Sequence, residues 1–141
     1  MHYNGGYLIG QINKLTNRRI NELLKEENVR EFNGAQGTII FVLTNEGPMP
    51  IKDIGKATGL AKTSLTSMLD RMEKQGLIEK RENENDKRST IIALNERSKS
   101  YKEVIEKVSQ RVSKEYYKGL RAKEVERFEA TLQKVLKNLN E

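Results

Sequence analysis

The chain has 141 residues, 35% hydrophobic and 33% charged, with 26 basic against 20 acidic side chains and a formal net charge of +6. That length suits one domain, or one small domain with an oligomerisation extension, and the lean apolar share predicts that a partner subunit completes part of the core. The absence of cysteine excludes disulfides and thiolate redox sensing; no apolar run approaches the roughly 20 residues of a membrane span, and no signal peptide is visible, so a cytoplasmic setting is expected.

Charge alone does not locate a function. Residues 1–60 carry 7 basic and 6 acidic side chains, residues 61–88 again 7 and 6, and residues 89–141 carry 12 and 8. The surplus lies in the C-terminal third. A modest basic excess suits a nucleic-acid binder only together with a side-chain pattern.

The spacing predicts a first helix over 7–27, after a loose start at Gly5-Gly6. Leu8, Ile12, Leu15, Leu23 and Leu24 fall near one stripe, with Arg18, Arg19, Glu22 and Glu26 largely elsewhere. Asn33 can cap a second helix over 34–45, which Gly47-Pro48 ends. A third helix begins near Pro50, carries Ile51, Ile54 and Ala57 inward, and stops at Gly59. A fourth spans about 61–75, with Leu65, Leu69 and Met72 at i, i+4 and i+7, and Gly76 in the left-handed position after it. Leu77-Ile78 starts a strand, Arg81 to Ser89 is too polar to bury and reads as a loop, and Thr90 to Leu94 is the return strand. Two helices follow. Tyr101, Val104, Ile105, Val108, Val112 and Tyr116 form one stripe. After a break at Gly119, Val125, Phe128, Leu132, Val135, Leu136 and Leu139 form another, close to heptad spacing. That last stripe packs either on another subunit or back on its own chain.

Helix, turn, helix and charged hairpin between Ile51 and Leu94 is the order of a DNA-reading head. A recognition helix needs short polar side chains and a few long basic ones on one face. The fourth helix offers Lys62, Thr63 and Ser64 near its start, where backbone N–H groups and hydroxyls can hold phosphate. Thr66 and Ser67 are short enough for deep entry into the major groove, and Arg71 can reach a phosphate or a guanine edge. The alternative is an ordinary solvated face. Such a face would more often use Glu, Lys or Gln, because Ser and Thr are weak helix formers. In the hairpin, Lys87 and Arg88 can enter a minor groove, and Asp86 can hold the Arg88 guanidinium. A charged tip with no partner is the competing account, favoured by Glu82 and Glu84.

From Asn33 onward the chain resembles the MarR family of winged-helix transcriptional regulators. The resemblance rests on Leu60-Ala61-Lys62-Thr63-Ser64-Leu65-Thr66, on Leu69 through Ile78, and on Asp86-Lys87-Arg88 followed by Ile92-Ala93-Leu94. It implies a fold that is mainly α with a small β wing, a winged helix-turn-helix domain flanked by N- and C-terminal dimerisation helices. On that basis residues 1–141 form a single MarR-like domain, with 33–95 as the DNA-binding lobe and 6–28 and 96–141 as the dimerisation region. It also implies that Asp86 orients the wing and that Arg88 enters the minor groove. Three positions depart from the common pattern: Glu84 replaces a proline usual in the wing, and Asn95 and Ser98 stand where Thr and Gly are common.

The resulting expectation is a sequence-specific regulator that binds double-stranded DNA as a homodimer on a pseudopalindromic operator, a repressor released by a small-molecule effector. Many members of the family bind aromatic acids or other lipophiles between the dimer helices and the reading head. Tyr7, Phe41 and Tyr101 are candidates to line such a cavity, although aromatic residues at helical spacing are more often core. No cofactor, no metal and no membrane partner is expected; His2 is the single histidine and reads as a bystander. A winged-helix module that docks on protein without reading DNA is the alternative. An enzyme is least expected, since the body of the chain has no histidine, no phosphate-cradling glycine loop and no catalytic triad.

Overall fold

The computed structural model describes residues 2–140. Its helices are α1 (Gly5–Glu26), α2 (Gly34–Glu46), α3 (Ile51–Thr58), α4 (Lys62–Lys74), α5 (Glu96–Lys99), α6 (Lys102–Tyr116) and α7 (Ala122–Leu139). Strands β1 (Met49–Pro50), β2 (Ile78–Glu82) and β3 (Thr90–Leu94) form one antiparallel sheet in the order β1-β3-β2. The architecture is mainly α with a small β wing.

Local chemistry explains most boundaries. Asn33 accepts the Gln36 N–H at 2.9 Å, while the Gln36 side chain accepts the Asn33 N–H at 3.1 Å, so a reciprocal capping box starts α2. Gly59, at φ +72°, closes the turn between α3 and α4 in a conformation that a Cβ would strain. Leu65, Leu69 and Met72 of α4 are buried against Ile39 and Ile40 of α2, Ile54 of α3 and Ile78 and Ile92 of the sheet, each at 1% exposure or less. This cluster is the lobe's core, and each such side chain contributes about 1.5–3 kcal/mol on burial.

Four details differ from the sequence reading. Gly5 and Gly6 lie inside α1; first-turn N–H groups have no intrahelical partner anyway, so weak helix formers are tolerated there. Ala57 is exposed and Ile54 alone is fully buried on α3, because eight residues present little more than one inward turn. Arg81 and Glu82 belong to β2, paired with Ile91 and Thr90, and not to the loop. A wing strand needs its ladder bonds satisfied, and its side chains stay in solvent. Finally, the two-residue β1 and the four-residue α5 are additional elements.

The upper part of the chain is built from α1 and α6. Leu23 and Leu24 pack with Ile105, Val108 and Val112, while ion pairs run along the flank. Arg19 donates to both oxygens of Glu115 at 2.9 Å, Lys107 meets Glu27 at 2.8 Å and Arg111 meets Glu26 at 3.4 Å. The Arg19 guanidinium holds the Glu115 carboxyl below the usual carboxylate range. Exposed pairs of this kind stabilise little individually, and the packing of α1 on α6 rests on the buried apolar cluster.

Helix α7 is different. It buries none of its residues. Its contact with the end of α6 is through Phe128, whose ring lies 6.4 Å from Tyr116 and 6.2 Å from Tyr117, and through a 2.7 Å bond from the Tyr117 hydroxyl to Glu129. Burial, reinforced by that carboxylate, pushes the Tyr117 phenol up to about 12. Leu132 is half-buried, and beyond it the stripe is open: Leu136 is 53% and Leu139 78% exposed, as is Leu15 of α1 at 59%. A full intrachain hairpin is therefore not what the stripe forms.

Candidate nucleic-acid interface

Helix α4 turns one apolar face inward and leaves Lys62, Thr63, Ser64, Thr66, Ser67 and Arg71 exposed on one element. Ala61 precedes the helix and supplies no side-chain cap. Among the described residues no side chain therefore caps the first-turn N–H groups, which carry the positive end of the helix dipole. Thr66 donates its hydroxyl proton to the Lys62 carbonyl at 2.8 Å. Its oxygen lone pairs and methyl remain for a partner, so it can accept from a base amino group or touch a thymine methyl.

The wing tip is shaped by two short side chains. Asn83 accepts the Asn85 N–H at 3.1 Å and donates to the Ser89 hydroxyl at 2.7 Å. Asp86 accepts the Arg88 N–H at 3.0 Å and faces the Arg88 Nε at 3.4 Å through the same oxygen. The Arg88 side chain is 94% exposed. One Asp86 oxygen thus meets both the backbone and the guanidinium of Arg88, whose other donors face solvent. Lys87 lies beside it, exposed.

Helix and wing face one groove. Its walls include Lys62 and Thr66 of α4, Arg88 and Thr90 of the wing, and Lys52 and Lys56 of α3. The two α3 lysines did not stand out in the sequence, where they are four residues apart on a short helix of unknown partners. Lys80 was also missed. From β2 it bonds Asp70 and lies 3.8 Å from Glu73, two carboxylates on the flank of α4. The Asp70 hydrogen bond raises the Lys80 pKa above its ordinary value. Lys80 so screens the acidic side of the helix and ties it to the sheet. Reading Arg81 as loop hid this strand position. Among the described residues Lys62, Arg71 and Lys87 join no ion pair.

The three aromatic candidates do not meet. Phe41 lines a cavity of about 150 Å³ between α1, α2 and α6, with Leu24, Phe32, Thr38, Val108 and Ser109 among its walls. Tyr101 packs edge-on against Phe32, ring centroids 5.1 Å apart, and is not in the wall. Tyr7 lies on the exposed first half of α1 and is itself 69% exposed. Helical spacing does not show which stripe faces the cavity.

A basic groove framed by a recognition helix and a wing defines a winged helix-turn-helix protein. The model described as MarR family matches residues 32–90. The solved structure of a mutant MarR from E. coli complexed with operator DNA is 30% identical, covering 93% of this chain and 92% of that one, with a TM-score of 0.78. YwhA of Bacillus subtilis, an uncharacterized HTH-type transcriptional regulator, is 29% identical over 75% of this chain and 76% of its own length. YfiV from the same organism is 33% identical, although the match spans only 40% of that protein. BpsR of Bordetella bronchiseptica shares the fold at 16% identity and a TM-score of 0.80. The chain belongs to the MarR family of transcriptional regulators, which are not enzymes. Among the described residues no helix is long and apolar enough to cross a membrane.

Proposed function

We propose that this regulator acts as a homodimer on a pseudopalindromic operator in double-stranded DNA, with residues 1–141 working as one unit. In this reading 33–95 is the DNA-binding lobe and 6–28 with 96–141 the dimerisation region. Thr63, Thr66 and Ser67 read base edges, Lys62, Ser64, Arg71 and Lys87 supply phosphate or base contacts, and Arg88, aimed by Asp86, enters the minor groove. The observation that carries the reading is the groove where Lys52, Lys56, Lys62 and Arg88 converge beside the exposed Thr66. The E. coli relative complexed with operator DNA supports it. The uncovered apolar stripes of α1 and α7 support the dimer, since a face of that kind is stable only when buried.

Repression released by a small-molecule effector is part of the same proposal. The cavity at Phe41 is walled by apolar side chains with Thr38 and Ser109 as its hydroxyls, and no cation lines it. That chemistry favours a small neutral lipophile or aromatic over a carboxylate, which would be desolvated there without a partner. A salt titration of binding to promoter fragments and to random duplex tests the DNA reading. Sequence-selective binding that falls steeply with salt is expected. Binding to neither DNA would leave the chain as a winged-helix module that docks on protein.

A further inference from the structure

Helix α4 ends in a turn that moves with it. The Leu77 N–H donates to the Met72 carbonyl at 2.9 Å and the Gly76 N–H to the Glu73 carbonyl at 3.0 Å, with Gly76 at φ +76°. This is a Schellman turn, with Met72 and Leu77 both buried in the core cluster. Residues 75–77 are therefore tied to the last turn of α4 by backbone hydrogen bonds.

Helix α5 holds the outward-facing carbonyls of that turn. Ser98 donates its hydroxyl to the Leu77 oxygen at 2.5 Å, and the Asn95 N–H donates to the same oxygen at 3.0 Å. Arg97 Nη1 donates to the Gln75 oxygen at 3.1 Å. Ser98 is fully buried, at 0% exposure. From the opposite side Gln36 of α2 donates to the Gln75 side chain at 3.3 Å, and that side chain donates to the Glu31 carbonyl at 2.8 Å. Helix α5 in turn leads into α6 without a slack linker: Tyr101 N–H bonds the Ser98 carbonyl at 3.0 Å, and Ile105 N–H bonds the Tyr101 carbonyl at 2.9 Å. Helix α6 is the one clasped to α1 by the Arg19, Lys107 and Arg111 ion pairs.

We propose that Ser98, with Arg97 beside it, is a positioning residue for DNA recognition, because it locks the end of the recognition helix to the base of the dimerisation arm. The proposal rests on the dimeric DNA-binding reading above. In a symmetric dimer the two copies of α4 must enter major grooves about one helical turn, ~34 Å, apart. The angle between α4 and α6 sets that distance, and the Ser98 hydroxyl is a side-chain bond that spans the joint. This chain should consequently be strict about half-site spacing.

The test uses the full chain and duplexes carrying the half-sites selected by the wild type at their selected spacing and at one and two base pairs more or less. The wild type should prefer its own spacing by about tenfold or more, in the range of a misplaced contact. Ser98→Ala should keep the half-site sequence preference but reduce spacing discrimination to about threefold or less. Equal spacing discrimination in Ser98→Ala and wild type would overturn the proposal. So would a uniform affinity loss at every spacing that follows a lower Tm, which is what a merely structural role predicts. If Ser98→Ala does not fold, Arg97→Ala, whose side chain is exposed, decides the matter: it should relax spacing in the same sense, and unchanged strictness refutes the clamp. Failure of the wild type to select any half-site would instead refute the DNA reading itself.

Discussion

Removing the wing carboxylate, Asp86→Ala, sets two physical effects against each other. The carboxylate sits beside the Arg88 that is proposed to enter DNA, so simple repulsion from phosphate predicts tighter binding without it. At about 8 Å from a phosphate in water that repulsion is about 0.5 kcal/mol. Physiological salt, with a Debye length near ~8 Å, cuts it to about 0.2 kcal/mol. Against this stands the loss of the acceptor that holds the Arg88 N–H at 3.0 Å and faces its Nε at 3.4 Å. A hydrogen bond of this class contributes about 0.5–1.5 kcal/mol. The loss wins, and Asp86→Ala should bind its site about 2- to 10-fold more weakly although the protein has gained positive charge. Arg88→Ala should cost more, about 1–3 kcal/mol per wing, and more than Lys87→Ala, because a guanidinium sheds water more readily and presents a planar fork of donors. Fluorescence anisotropy on the selected duplex at two salt concentrations measures all three variants. Tighter binding by Asp86→Ala at both concentrations would refute the reasoning and leave Asp86 a solvated tip residue.

Replacing Leu132 and Leu136 together with Glu should give monomers by sedimentation at micromolar concentration and lower operator affinity by about 100-fold or more, as two linked half-sites become one; a monomeric wild type would contradict this. Thr66→Ala should lower affinity for the selected site by about tenfold with little change on random duplex, since phosphate contacts carry no sequence information; equal losses on both would reassign Thr66 to the backbone. Glu115→Gln tests the α1–α6 clasp through pH. The Glu115 carboxyl is held low by Arg19, so its pairing stabilises the fold above the ordinary carboxylate range and is lost as pH falls through the lowered value. The variant should melt lower than wild type at about pH 7 and show a shallower acid limb by circular dichroism, and parallel limbs would be the contrary result.

What could be read in the sequence was local chemistry. Asn33 and Gln36 sit three apart at a helix start, Gly59 and Gly76 stand where a left-handed residue closes the turn, and Thr90 to Leu94 is a short apolar run rich in β-branched residues. That Lys62, Thr63, Ser64, Thr66, Ser67 and Arg71 face away from the core follows from the Leu65, Leu69 and Met72 period. Features set by distant partners were not legible. The short β1 exists because Met49 and Pro50 pair with Ile92 and Ile91. The four residues of α5 are too few for a period, and their bonds go to Gln75 and Leu77, some twenty positions back. The role of Lys80 depends on which face of β2 turns to Asp70, and the cavity on which of α1, α2 and α6 close around Phe41. An apolar stripe such as that of α7 is plain in sequence, but its partner is a property of the assembly.

The measurement that bears most directly on the central claim is selection of bound duplex from a random double-stranded pool with the 141-residue chain. The account predicts enrichment of an inverted repeat whose half-sites lie about one helical turn apart, and loss of that enrichment in Arg88→Ala and Thr66→Ala. A pool that emerges unenriched, or a motif recovered equally by both variants, would contradict it.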